Sequence, residues 1–236
     1  MEYVGIEPKR PISRNVLKYI AVMAMLIDHI GAIFVPQNTA IYIIMRIIGR
    51  LTCPIMCYFL VQGYMHTKNR KKYFLRLLIF AIIAQVPYAL ALKGTLLVLE
   101  LNFLFTLVLS FGVIWVYDKT DNLIVRWLAI ILLISLAFFC DWGVFAPVLV
   151  LLFYIFRNNN SSAIISFAIF VVMYTFLNFN PHDLTCLLSL ATLLAIPLIL
   201  LYNGEAGRKC AFNKWFFYIF YPLHLGLLWV VRLTIG

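Results

Sequence analysis

VLKYIAVMAMLIDHIGAIFV, residues 16–35, decides the fold class. The run has the length of a helix that crosses a bilayer core, which takes about 20 predominantly apolar residues. Lys9, Arg10, Arg14 and Lys18 give it a basic start, so a cleaved export signal is the first alternative. Asp28 and His29 interrupt its apolar core, however, and no small-residue cleavage site follows. The stretch reads as a retained first helix.

Working outward, eight more segments have the same character: 41–64, 73–92, 96–117, 123–139, 142–156, 162–179, 184–202 and 214–233. The connections are short, and no segment alternates like a membrane β-barrel strand. The expected fold is all-α: a polytopic transmembrane helical bundle of about nine spans. It forms a single integral membrane domain over 1–236, with 1–15 as a basic cytoplasmic segment. Composition agrees. Of 236 residues, 64% are hydrophobic and 12% charged, with mean hydropathy +0.99. A soluble domain holds roughly 25% charged residues. Soluble enzymes, nucleic-acid-binding domains and disordered chains are therefore excluded, and membrane lipid is the surrounding partner. The net charge of +10 reflects basic cytoplasmic loops rather than nucleic acid.

Basic residues also give the direction. With the N-terminus in the cytoplasm, the inner side holds 15 of them: Lys9, Arg10, Arg14, Lys18, Lys68, Arg70, Lys71, Lys72, Arg76, Lys119, Arg126, Arg157, Arg208, Lys209 and Lys214. The outer side holds Lys93 and Arg232. The bias alternates correctly over nine spans and turns the C-terminus outward. Five cysteines, Cys53, Cys57, Cys140, Cys186 and Cys210, are too scattered for a disulfide framework. No metal set accompanies them, so no metal is expected.

Charged groups inside spans point to function, because each costs roughly 2.5–3.5 kcal/mol at the bilayer centre. Asp28 and His29 lie in the first span. Arg46 and Arg50 lie in the second and, four apart, share a face. Glu100 and Asn102 open the fourth, Asp141 precedes the sixth, and His224 lies in the ninth after Tyr218 and Tyr221. Counting depth along the helices predicts that these groups meet in one polar chamber, in the middle to outer half. The bland alternative is an inert ion pair of Asp28 with Arg46 or Arg50 that fixes helix register, beside a structural His224. His66 and His182 fall in loops and read as solvated.

The same residues spell a family pattern. LKYIAVMAMLIDHIG (17–31), RIIGRLTCPIMCYFLVQGY (46–64), YFLRLL (73–78), LNFLFTL (101–107), DWGVFA (141–146), YNGEAG (202–207) and KWFFYIFYPLHL (214–225) occur in order over nearly the whole chain. Together they resemble the TraX family, bacterial integral-membrane acetylases named for one that N-acetylates conjugative pilin. Cys53 departs from the aromatic expected before Pro54, and the first fifteen residues match nothing in particular.

The resemblance implies a multi-pass protein of the bacterial cytoplasmic (inner) membrane. It would move an acetyl group from acetyl-CoA to an amine or hydroxyl, on a pilin-like peptide N-terminus or a glycan. His29 is then the expected general base. Asp28 points roughly 100° away from it and pairs with either His29 or an arginine. Arg46 or Arg50 would stabilise the oxyanion, and His224 would serve a second proton step or bind the acceptor. Glu100, Asn102, Asp141, Tyr218 and Tyr221 are the acceptor-binding candidates. Acetyl-CoA, as acyl donor, would lay its phosphates on the inner loops, at Lys68, Arg70, Lys71, Lys72, Asn203, Arg208, Lys209 and Lys214. The run at Lys68 would equally hold anionic lipid. Asn203, Gly204 and Gly207 form a tight loop without the spacing of a phosphate loop. Two other classes compete. A proton-coupled small-solute transporter uses the same buried groups, and a non-enzymatic scaffold needs them for stability alone.

Overall fold

The computed structural model describes residues 11–205, 207 and 211–235. Among them the chain is helical, with isolated β-bridges in place of strands. The helices are α1 (Arg14–Phe34), α2 (Ala40–Gly49), α3 (Thr52–His66), α4 (Arg70–Tyr88), α5 (Phe103–Lys119), α6 (Leu123–Leu136), α7 (Phe145–Ile155), α8 (Asn160–Leu177), α9 (Ala195–Leu200) and α10 (Ala211–Ile235). A π-turn at Ala89–Lys93 extends α4, a 3₁₀ turn at Ala137–Phe139 extends α6, and a 3₁₀ stretch at Leu184–Leu194 leads into α9. Among the described residues five segments are long and apolar enough to cross a membrane: Arg14–Phe34, Ala40–His66, Arg70–Lys93, Asn160–Leu177 and Trp215–Ile235.

Burial sorts the helices into two rings. α3, α5 and α7 are apolar all round and largely buried, which makes them the inner helices. α1, α4, α6 and α8 pack around them, and α10 packs on α1 and α4. The outer faces are strongly apolar. Leu128, Ile131 and Leu132 of α6, Ile169 and Phe176 of α8, and Leu223 and Leu227 of α10 are all exposed, while Asn102, Thr106 and Ser110 are buried. Polar inside and apolar outside suits lipid as the surrounding solvent.

Asparagines start many of the helices. Side chains of Asn69, Asn102, Asn122 and Asn159 accept backbone N–H groups of α4, α5, α6 and α8. Three expected boundaries are corrected. The second segment is interrupted at Arg50–Leu51, because Pro54 has no N–H to give the Arg50 carbonyl. The fourth begins at Phe103 rather than 96: Gly94 takes a left-handed φ of 73° and Asn102 caps the helix, so 94–102 is a loop. The eighth is mostly 3₁₀. Ser189 and Thr192 hydroxyls donate to carbonyls three residues back, and Pro197 removes another helical bond.

The connections fall at two ends. One end carries Lys68, Lys71, Lys72, Lys119 and Arg157 and is called the basic end below. The loop 94–102 and the turn 140–144 meet at the opposite end. There Leu101 N donates to Phe139 O at 2.8 Å and Asp141 N to Leu101 O at 2.7 Å.

Candidate functional site

Asp28 and His29 are neighbours on α1, so their side chains leave the helix roughly 100° apart. Each finds a different helix. Arg46 Nη1 of α2 donates to Asp28 Oδ2 at 2.7 Å. His29 Nδ1 lies 2.7 Å from His224 Nε2 of α10, with the two rings stacked at 5°. The α1–α2 contact depends on small residues. A β-carbon at Gly49 would collide with the Asp28 carboxylate, and one at Gly31 would lie 2.9 Å from Met45 Cβ.

The histidine pair has a defined proton order. His224 Nδ1 lies 2.7 Å from the Phe220 carbonyl, which only accepts, so Nδ1 carries the hydrogen. Neutral His224 therefore accepts at Nε2, and His29 Nδ1 donates to it. This leaves the lone pair of His29 on Nε2. His29 lines a cavity of about 280 Å³.

That cavity gathers Asp28, His29, Arg46, Arg50, Tyr88, Lys93, Glu100, Asp141, Trp142 and Tyr221. Its charged groups are committed unequally. Arg46 is held by Asp28, and Lys93 by Glu100, which also accepts from Tyr88 Oη at 2.7 Å. Arg50 forms no ion pair among the described residues. Its guanidinium sits 4.9 Å from the Trp142 ring centroid, and its buried Nε has no hydrogen-bond partner. Asp141 lies in the turn before α7, where Thr106 Oγ1 donates to its backbone carbonyl. Burial raises its carboxyl to about 6; the Glu100 charge adds to the rise and Arg50 opposes it. Trp142 has a φ of 66°, a conformation that costs a side-chain-bearing residue of order 1–3 kcal/mol. A second cavity of about 230 Å³ shares Arg50, Asp141 and Trp142 with the first, and adds Tyr174, Asn178, Thr185 and Ser189.

Some expected site residues lie elsewhere. Asn102 is fully buried as a brace, donating from Nδ2 to Ala81 O and Gln85 Oε1. Tyr218 packs on Phe80, nearer the basic end, instead of lining the cavity. His224 reaches the cavity only through His29. Lys68, Lys71 and Lys72 are exposed at the basic end, while Arg70 donates to Asp118 at 2.7 Å. Asn203 closes a turn by accepting from Glu205 N. Arg208 and Lys209 lie outside the described residues, as does the Lys214 side chain. His66 and His182 are exposed. Cys53 and Cys57 are buried, 3.8 Å apart, as free thiols. Among the described residues no group suits a metal ion. Sequence reasoning missed Tyr88 and Trp142. The Trp142-Gly143 pair was the available signal, since consecutive positive φ values mark a sharp return of the chain.

A family model described as TraX protein matches residues 13–232. The chain is 30% identical over 238 residues to a probable fimbrial assembly protein, FimC of serogroup H1, from Dichelobacter nodosus, covering 92% of this chain and 97% of that one. It is 26% identical over 226 residues to the uncharacterized protein RP591 of Rickettsia prowazekii (strain Madrid E), covering 86% and 84%. No solved structure matches.

Proposed function

The chain belongs to the TraX protein family, and from that premise we propose that it is an acetyl-CoA-dependent membrane acyltransferase. It transfers the acetyl group to an amine or hydroxyl of an envelope or exported acceptor. The name of the Dichelobacter relative favours a pilin-like peptide as that acceptor. The observation that carries the reading is the His29–His224 pair, whose hydrogen bonds leave the Nε2 lone pair of His29 at the edge of a charged cavity.

The basic end faces the cytoplasm, because cytoplasmic loops collect Lys and Arg. The protein spans the bacterial inner membrane nine times, with its N-terminus inside. The cavity then sits in the outer half of the bundle. Donor approaches His29 from the cytoplasmic side and acceptor from the other.

In the reaction, the acceptor N–H or O–H gives its proton to His29 Nε2 as its heteroatom attacks the thioester carbonyl. His29 becomes an imidazolium that keeps donating from Nδ1 to His224, whose own Nδ1–H remains on Phe220 O. Arg50, which pairs with no carboxylate among the described residues, stabilises the oxyanion. The C–S bond breaks, the CoA thiolate takes the proton from His29, and the acetylated acceptor leaves. Arg46 and Asp28 hold the geometry. An amine that arrives protonated first gives its extra proton to the Asp141 carboxylate, which passes it to water, and attacks as the neutral amine, while Glu100 stays paired with Lys93.

Protein in nanodiscs, labelled acetyl-CoA and a cell-envelope extract supply the test. Wild type should release CoA and label a band, and folded His29→Ala should do neither. No turnover by folded wild type would sink the reading, and a proton gradient test in liposomes would then address transport.

A further inference from the structure

The basic end contains a second charged cluster that the mechanism leaves unused. Lys18 of α1 points its ammonium over Phe217 at 5.0 Å and Phe59 at 5.7 Å. Arg14 and Arg76 lie near enough to act on its charge. The Arg76 guanidinium stands 5.2 Å from the Tyr218 ring centroid and 5.5 Å from that of Tyr73, with its Nε buried and without a hydrogen-bond partner. Among the described residues no carboxylate pairs with any of the three cations. The neighbouring Glu205 meets Arg14 through backbone atoms.

Three cations held together in a half-buried site repel one another. A buried cation without a partner is costly. Such a cluster is suited to an anion of matching charge, and guanidinium with ammonium suits phosphate. Exposed Lys68, and Lys71 and Lys72 in the first turn of α4, form no comparable enclosure.

Position says which phosphate. Lys18 and His29 are eleven residues apart on α1, about three turns and about 16 Å, so they share one helix face. Val22 and Met25 lie between them on that face, both buried, so side chains packed over them must move aside for the arm. In acetyl-CoA the pyrophosphate and the thioester are likewise separated by one extended pantetheine arm. We infer that Arg14, Lys18 and Arg76 bind the donor's pyrophosphate, so that the pantetheine arm runs along α1 and sets the thioester at His29. The inference rests on the acyl-CoA reading. An anionic lipid headgroup carries the same phosphate chemistry and is the competing source.

The test measures binding, so that it does not depend on turnover. Full-length protein in phosphatidylcholine nanodiscs is titrated with CoA and with pantetheine, which lacks the phosphates. Wild type should bind CoA at least ~10-fold more tightly than pantetheine, as charge-assisted hydrogen bonds warrant. Lys18→Gln and Arg76→Gln, on different helices and each checked by melting temperature, should erase most of that preference. Lys18→Arg should keep it. Equal binding of both ligands by wild type, or CoA binding unchanged in both Gln variants, overturns the inference. So does a result in which phosphatidylglycerol, added to the nanodiscs, associates through these residues while CoA does not bind. Phosphate-dependent CoA binding without thioester consumption would support the site and count against the acyl transfer instead.

Discussion

His29 and Asp28 carry opposite assignments although they are adjacent, and the reason is angular. One faces α10, the other α2, so His29 is oriented by His224 and the carboxylate is spent on Arg46. The sequence left open whether Asp28 pairs with His29 or with an arginine, because that depends on how α2 and α10 flank α1. His224→Gln is a positioning variant. We expect kcat to fall roughly 10- to 100-fold, within the range of general-base effects, with the KM for acetyl-CoA little changed. Steady-state kinetics check this split. Asp141 gives a pH prediction. Its carboxyl, raised to about 6 by burial, is ionised at neutral pH and protonated as pH falls below that value. Acceptor binding that needs the carboxylate should weaken below about pH 6, and Asp141→Asn should remove that acid limb from the profile of kcat/KM for the acceptor. The stability sign is the reverse. A native pKa above the unfolded one means that the folded state holds this proton more tightly. The stabilisation from this group is present in acid and is lost as pH rises from the unfolded value through about 6.

At the scale of the element, the site depends on irregularities more than on helices. The break after α2 lets Arg50 reach the cavity, and the stitched loops 94–102 and 139–141 bring Glu100 beside Asp141. Pro54 in the sequence was a fair sign of the first. The second was illegible, because Leu96, Leu97 and Leu99 continue the apolar run into a loop where hydropathy cannot separate helix from exposed chain. Gly49 is the sharpest test. Its Cβ would meet the Asp28 carboxylate, so Gly49→Ala must push α2 away from α1 or rotate Asp28 off Arg46. We expect a loss of about 1–3 kcal/mol, as for overpacked interiors, read as a lower melting temperature together with lost activity. Gly94→Ala, where a Cβ meets nothing within 4 Å but φ is 73°, should cost backbone strain alone and spare the cavity.

For the whole molecule, each of the nine apolar segments contains helix among the described residues, and five stretches are long and apolar enough to cross a membrane. The meeting of the buried charges was suggested by depth along the helices; their pairing, and the cluster at Lys18, required the packing. Orientation remains the proposal that links donor side to acceptor side. In intact cells a membrane-impermeant maleimide should label Leu97→Cys, and should label Lys119→Cys only after permeabilisation; the reverse pattern would invert the scheme. If His29 Nε2 takes the acceptor's proton, CoA release by purified His29→Gln in nanodiscs is the step that fails. With melting temperature and CoA affinity near wild type, turnover should drop at least ~100-fold. A folded His29→Gln protein that releases CoA at the wild-type rate would contradict the account.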